Sequence, residues 1–99
     1  MSQADSTIGI SIRLEAQLRD LVDSNPAVLQ CAPGTSLMAA LRELASDDAV
    51  RTRLFPDSEA FSHSILVFRN NEPVDQQELS AVSLSDGDEI ILFPPISGG

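Results

Sequence analysis

The residues best suited to chemistry in this chain lie at its end, in the segment Pro94–Gly99. Its two prolines favour an extended backbone that holds the segment away from the domain. Its two final glycines leave the carboxylate without neighbouring side chains, so it can enter a narrow channel in another protein. ATP can adenylate such a carboxylate, and a sulfur nucleophile can then displace AMP to leave a thiocarboxylate. The segment therefore predicts a group carrier whose reactive atoms belong to Gly99.

The rest of the chain is predicted to present this end to partners. Residues 1–6 are polar and are expected to be disordered, residues 7–93 are expected to form one domain, and residues 94–99 a flexible tail. Ile96 is the single apolar anchor of the tail. The residues expected to line a partner's channel, besides Gly99, are Pro94, Pro95, Ile96, Ser97 and Gly98.

Composition excludes several classes of partner. Fifteen acidic residues oppose six basic ones, all arginine, for a net charge of −9. Nucleic acid is not expected, because phosphate contacts need a basic surface; the charge suits a basic protein face or serves solubility alone. Cys31 is the single cysteine, which excludes an internal disulfide. The longest aliphatic and aromatic run, Ile90–Phe93, is too short to span a bilayer and no signal segment is evident, so we expect a cytoplasmic domain without a membrane partner.

No constellation of residues predicts catalysis by the chain itself. There is no nucleophile–base pair and no glycine-rich phosphate loop, and His63 is expected to be a surface residue. The acids at 86, 88 and 89 fit a tight turn and the start of a strand better than a calcium loop, which needs more oxygens at regular spacing. We therefore expect a carrier that is not an enzyme, with no metal and no bound cofactor.

Hydrophobic periodicity places the first elements. Alternating apolar residues over Ile8–Leu14 predict a strand, and Val28–Cys31 predicts a second strand that completes a hairpin with a long connection. Thr35 or Ser36 is expected to cap a helix that contains Leu37, Leu41, Leu44 and Ala45. A second short helix is predicted over Asp48–Leu54, ended by Pro56.

The second half of the chain predicts three more strands. Ser64–Phe68 is apolar on both faces, so we expect it in the middle of a sheet, covered or flanked on each side. Val74 is expected in a short edge strand, and Asp86–Asp88 in a tight turn before a last strand over Glu89–Phe93. The fold class is α+β: a mixed sheet of four to five strands packed on one main helix plus a short helix, in a β-grasp arrangement.

The C-terminal motifs resemble those of the MoaD/ThiS family of ubiquitin-like sulfur carriers. The matching segments are Asp86–Glu89, Phe93–Pro95 and Gly98–Gly99, with Ala16–Asp20 in support. Within the family, the closest resemblance is to the small subunit of molybdopterin synthase.

The resemblance implies a reaction path and two classes of partner. An adenylating enzyme of the ubiquitin-activating type would use ATP and a persulfide sulfur donor to make the thiocarboxylate at Gly99. The large molybdopterin synthase subunit, or another sulfur-accepting enzyme, would then receive the sulfur. Phe93 would lie on the apolar docking surface beside the tail. Glu15 and Arg69 replace an aromatic and a small or apolar residue of the family pattern, which predicts a more polar docking surface or a different sulfur acceptor.

Three alternatives remain open at this stage. The sulfur can serve cysteine, thiamine or a specialised metabolite. The same activation step also serves a protein modifier that joins its terminal glycine to lysines of target proteins. A plain β-grasp interaction domain would not need the tail at all.

Overall fold

The computed structural model describes residues 7–94; the predicted disordered residues 1–6 and residues 95–99 of the predicted tail lie outside the described part. Five strands form one mixed sheet: β1 (Ile8–Leu14), β2 (Ala27–Cys31), β3 (Leu66–Arg69), β4 (Glu72–Val74) and β5 (Glu89–Phe93). Two α-helices, α1 (Leu37–Leu44) and α2 (Asp48–Leu54), lie between β2 and β3 in the chain. The predicted α+β class with a main and a short helix is confirmed.

The sheet has the order β2-β1-β5-β3-β4, which places the first and last strands side by side. β1 pairs antiparallel with β2 and parallel with β5, with Leu14 opposite Leu92. β3 pairs antiparallel with both β5 and β4. β5 therefore lies inside the sheet, between β1 and β3, and the residues that follow it leave from the middle of the sheet and not from its edge.

The helix starts follow from their capping residues. The Ser36 hydroxyl accepts a hydrogen bond from the Ala39 N–H at 3.0 Å, and the Asp47 carboxylate accepts one from the Ala49 N–H at 3.0 Å. Each bond satisfies an amide of the first turn that has no partner within the helix. Of the two predicted caps of α1, Thr35 or Ser36, the structure shows Ser36, and the predicted span of α2 is confirmed.

The core lies between the helices and one face of the sheet. Alternate residues of β1 and β5 are buried against α1, which contributes Leu37, Ala40, Leu41 and Leu44. The connection after β1 forms a 3-10 segment, Ala16–Leu21, that the sequence pattern did not predict; it buries Leu18. Neither α-helix within residues 7–94 is long and apolar enough to cross a membrane.

β3 has one covered face and one open face. It lies between β5 and β4, as expected for a strand that is apolar on both faces, and Val67 is buried. Its other face is open, because Leu66 is 54% exposed and Phe68 is only partly buried. Of the two predicted arrangements, covered or flanked on each side, the structure shows the flanked one, since the described helices pack on the opposite face of the sheet.

Candidate surface and tail exit

The last strand fixes the position at which the predicted tail begins. The Glu15 N–H donates to the Leu92 carbonyl at 3.0 Å, so the backbone of β5 is paired almost to its last residue. Phe93 is 37% exposed, whereas Pro94, the first residue of the predicted tail, is buried. The remaining predicted tail residues, from Pro95 to Gly99, lie outside the described part of the chain. Pro94 itself is held against the body of the domain.

An apolar surface, here called the outer patch, lies beside this exit on the sheet face opposite the helices. Cross-strand pairs build it, with Leu66 opposite Phe93 and Phe68 opposite Ile91. The rings of Phe68 and Phe93 meet edge to face, with centroids 5.4 Å apart and an interplanar angle of 82°. Exposed apolar patches of this kind commonly mark interaction sites. Its members are Leu66, Phe68, Pro73, Ile91 and Phe93.

Sequence reasoning identified part of this patch. Phe93 was predicted beside the tail, and the structure places it there; that it docks a partner stays a prediction. Leu66 and Phe68 were not identified as surface residues, because the sequence pattern left open whether their strand is covered or only flanked on each side. The signal was present in the sequence, since a domain with one main helix and one short helix has too little helical surface to cover both faces of a five-stranded sheet.

A charged margin borders the tail exit at the end of β1. Glu15 approaches Arg13 at 3.9 Å and Arg19 at 3.6 Å. Both arginine side chains are more than half exposed while Glu15 is partly buried, and ion pairs with such exposed partners contribute little to stability. Because Glu15 directly follows Leu14, which lies opposite Leu92, the charged groups lie close to the exit. The polar margin that Glu15 predicted is therefore present beside the outer patch.

Arg69 does not contribute to the outer patch, which corrects the second prediction of a polar docking surface. It shares the inner face of β3 with Val67, because side chains alternate along a strand. Its guanidinium contacts the Asp88 carboxylate at 2.9 Å and donates to the Ser83 carbonyl at 3.2 Å. Arg69 thus joins β3 to the segment before β5.

Asp88 is the centre of a hydrogen-bond network at the start of β5. Its carboxylate accepts bonds from Arg69 Nε at 3.0 Å, from Asn70 Nδ2 at 3.0 Å and from the Ser85 N–H at 2.8 Å. The Asn70 side chain also accepts a bond from the Glu89 N–H at 2.9 Å. Since Asp88 is only 6% exposed, these bonds replace the water that its charge would otherwise bind.

The same contacts set the acidity of Asp88. Burial by itself raises the pKa of this carboxyl, but the bonds from Ser85, Asn70 and Arg69 and the Arg69 charge together lower the pKa below its ordinary value. Asp88 is therefore a structural carboxylate. Within residues 7–94, no group of three or more histidine, cysteine or acidic side chains is placed to hold a metal ion.

The turn around Asp88 is also tied to β1. Asp86 accepts a bond from the Gly9 N–H at 2.7 Å, and the Gly87 N–H donates to the Gly9 carbonyl at 2.8 Å. Gly87 has φ of +89°, a backbone region that favours glycine. The predicted tight turn is confirmed, and it fixes where β5 begins.

The two remaining candidates from the sequence lie away from the tail exit. His63 is exposed, as predicted. Cys31 is buried at the end of β2, and burial, followed by the charge of Glu43, raises the pKa of its thiol. A thiol with a raised pKa is a poor nucleophile at neutral pH. This cysteine is therefore a packing residue.

Comparison with known proteins gives consistent matches over nearly the whole chain. A family model described as the ThiS family matches residues 12–99. Small archaeal modifier protein 3 of Haloferax volcanii is 29% identical over 91 residues, which cover 91% of this chain and 98% of that protein. The crystal structure of SAMP1 from Haloferax volcanii superposes with a TM-score of 0.79 at 28% identity, covering 92% of this chain and 99% of that one.

A more distant match bears on the fold alone. The solution structure of Urm1 from Trypanosoma brucei gives a TM-score of 0.73 at 18% identity, with all of both chains covered. These ubiquitin-like neighbours confirm the predicted β-grasp fold.

Proposed function

The chain belongs to the ThiS family of ubiquitin-like proteins, and we propose that it carries sulfur as a thiocarboxylate on Gly99. The observation that carries the proposal is the extent of the family match, which runs from β1 through the sheet to Gly99. The domain and the residues that follow it thus match the family together. The chain then acts as a co-substrate of other enzymes and not as a catalyst.

The activation chemistry follows from the terminal carboxyl group. An adenylating enzyme of the ubiquitin-activating type joins the Gly99 carboxylate to the α-phosphate of ATP and releases pyrophosphate. The terminal sulfur of a persulfide donor attacks the acyl carbon and displaces AMP, which gives an acyl disulfide. A second thiol of the donor attacks the donor's own sulfur in that link. The donor leaves as a disulfide, and Gly99 retains one sulfur as a thiocarboxylate.

The geometry where the tail begins supports separate roles for the domain surface, which binds the enzyme, and for the tip, which the enzyme alters. Residues 95–99 reach at most about 17 Å beyond Pro94 when extended. An enzyme that alters Gly99 must therefore touch the domain close to the exit, where the outer patch offers exposed apolar area around Phe93. The patch binds the partner, and the small residues at the tip enter its active site.

For the acceptor of the sulfur, we propose the precursor of molybdopterin, bound in the large subunit of molybdopterin synthase. The support is the resemblance of Asp86–Glu89, Phe93–Pro95 and Gly98–Gly99 to the small subunit of that enzyme. Carriers for cysteine, thiamine or another sulfur metabolite use the same activated tip. The acceptor must therefore be identified by a transfer assay.

The test is reconstitution with purified components. The chain is incubated with an adenylating partner, ATP and a persulfide donor, and its intact mass is measured. We expect the mass change of one sulfur replacing one oxygen, and its absence when Gly99 is deleted. The product is then mixed with the large synthase subunit and the molybdopterin precursor, and dithiolene formation is followed. Failure to form any adduct with cognate partners contradicts the carrier; an adduct that does not transfer contradicts only the acceptor.

A protein modifier is the second candidate, favoured by the name of the relative that is 29% identical, small archaeal modifier protein 3. In that case an amine of a target lysine attacks the activated Gly99 carbonyl and forms an isopeptide bond. The 99 residues contain no lysine, so lysine-linked chains of this modifier cannot form on its own side chains. Affinity-tagged protein in its host should then give adducts that carry one copy per modified lysine and vanish when Gly99 is deleted.

A further inference from the structure

The two edges of the sheet differ in their capacity to bind another strand. β4 is three residues long and contains Pro73, which has no N–H to donate. β2 is five residues long, about 17 Å, and no strand among residues 7–94 pairs with its outer edge. An edge of this length presents unpaired N–H and C=O groups, which can form hydrogen bonds with a further strand. β2 is therefore the edge suited to bind an extended segment.

A groove of about 500 Å³ opens beside the first residues of β2. It lies between the connection that follows β1 and the junction of α1 with α2. The Asn25 side chain holds that connection in place, since it accepts from the Leu14 N–H at 3.0 Å and donates to the Leu14 carbonyl at 2.8 Å. The groove is thus preformed. Its floor and rim include Leu21, Val22, Leu44, Val50, Asp23 and Asp47.

The charged residues that line this groove are both acidic: they are Asp23 and Asp47, and no basic residue of the described chain lines it. From residue 20 to residue 50 the sequence has five carboxylates and one arginine. That arginine, Arg42, faces elsewhere: it lies 4.6 Å from the centre of the Phe55 ring and donates to the carbonyls of Ser58 and Glu59. Asp23 and Asp47 flank the groove at the start of β2, and Glu43 acts electrostatically on Cys31 at its end. Acidic groups therefore border both ends of the free edge.

We propose that the edge of β2 and this groove form a second interaction surface, which binds an extended, basic and aliphatic segment of a partner protein as a sixth strand. Main-chain hydrogen bonds to β2 supply the pairing. An aliphatic side chain of the segment fills the groove against Leu44 and Val50, and its arginine or lysine side chains face Asp23, Asp47 and Glu43. The surface is distinct from the outer patch and from the tail, so a partner can be held while Gly99 remains accessible.

Charge selects this occupant over a second copy of the chain. Pairing two β2 edges would bring the same acidic groups together, in molecules that each carry a net charge of −9. Like charges opposed across an interface oppose association. A basic segment gains from the same groups, and its binding should weaken as salt is added.

The test uses the full chain and a short capped peptide of valine and arginine, with a control peptide in which glutamate replaces arginine. Amide NMR spectra of the labelled protein are recorded during titration. We expect shifts confined to residues 20–31 and 43–50, from the arginine peptide alone. The Gly99-deleted chain should bind with the same affinity, which separates this surface from the proposed carrier function.

Two variants and two modified peptides sharpen the test. Asp23→Asn and Asp47→Asn should each weaken binding by about two- to fivefold, as for exposed ion pairs. Asp57→Asn, an exposed acid that does not line the groove, should not weaken it. N-methylation should abolish binding when it blocks the alternate peptide amides that donate to β2. N-methylation of the other set, which points away from β2, should have little effect.

Three results would each overturn the proposal. The first is the absence of saturable shifts with the arginine peptide. The second is a set of shifts centred on Leu66 and Phe93, which would mean that the outer patch binds the peptide. The third is concentration-dependent association through β2 without peptide, which would make a second copy the occupant.

Discussion

The start and the end of β5 lie a few residues apart in the same strand and are stabilised by different chemistry. At its start, the Asp88 carboxylate accepts bonds from Arg69, Asn70 and the Ser85 backbone, and all of these groups are the protein's own. At its end, Phe93 contacts Phe68 and otherwise presents apolar area to solvent. At the start of β5 the buried polar groups are hydrogen-bonded within the domain. At its end, an exposed apolar surface remains that a partner can cover.

The difference shows how one strand serves both stability and recognition. A satisfied polar network fixes where a strand begins, because each missing partner would leave a buried group unpaired. An exposed apolar patch adds little to folding, but it gains free energy when a partner removes it from water. Changes at the two ends should therefore separate folding from activation.

Deleting Gly99 should have the largest effect at the recognition end, because it moves the terminal carboxylate to Gly98, one residue short of the partner's reacting groups. We expect loss of thiocarboxylate formation with the free energy of unfolding nearly unchanged, measured by intact mass and by urea denaturation. Ser97→Ala, which keeps the chain length and both glycines, should remain competent. A marked loss of stability on deleting Gly99 would mean that the tail packs on the domain.

Asp88→Ala should have the largest effect at the structural end. It leaves the Arg69 guanidinium and the Asn70 amide without their acceptor, at an expected cost of about 2–3 kcal/mol in the free energy of unfolding. Asp86→Ala, in the same turn but exposed and accepting a single bond, should cost clearly less. Adenylation of the folded Asp88→Ala protein should proceed normally; a selective loss of adenylation would place Asp88 in the recognition surface.

Phe93→Ser should act chiefly on recognition. Removal of this ring from the centre of an interface should raise the KM of the activating enzyme for the carrier by roughly tenfold. The lost contact with Phe68 should lower stability by about 1 kcal/mol. Thr52→Ser is the control, because Thr52 is exposed on α2 and belongs neither to the outer patch nor to the groove beside β2. Equal changes in KM for both variants would argue against the outer patch as the docking surface.

The smallest expected effect is the pH dependence of the Asp88 network. Because the folded pKa of Asp88 lies below its ordinary value, its contribution to stability is complete above the unfolded pKa of about 3.9 and is lost as pH falls through the folded pKa. The difference in unfolding free energy between the wild type and Asp88→Asn should therefore shrink on acidification below about pH 4. A free-energy difference that grows below pH 4 would contradict a lowered pKa for Asp88 in the folded state.

The sequence by itself determined the local elements of this protein. The span of α2 and the last strand Glu89–Phe93 were predicted as observed, and the cap of α1 was narrowed to Thr35 or Ser36. Each depends on periodicity or capping among near neighbours. The C-terminal motif also pointed to the family, which the family match confirms. The chemistry predicted for Gly99 remains a prediction.

Tertiary structure decided which faces are covered and which distant residues meet. Leu66 and Phe68 carry the same apolar signal as core residues, and only the placement of both helices on the other face leaves them exposed. Arg69 looked like part of a docking surface until its pairing with Asp88, 19 positions away, placed it on the inner face. Burial and charge pairing depend on contacts between segments far apart in the chain, and a local pattern carries no record of those contacts.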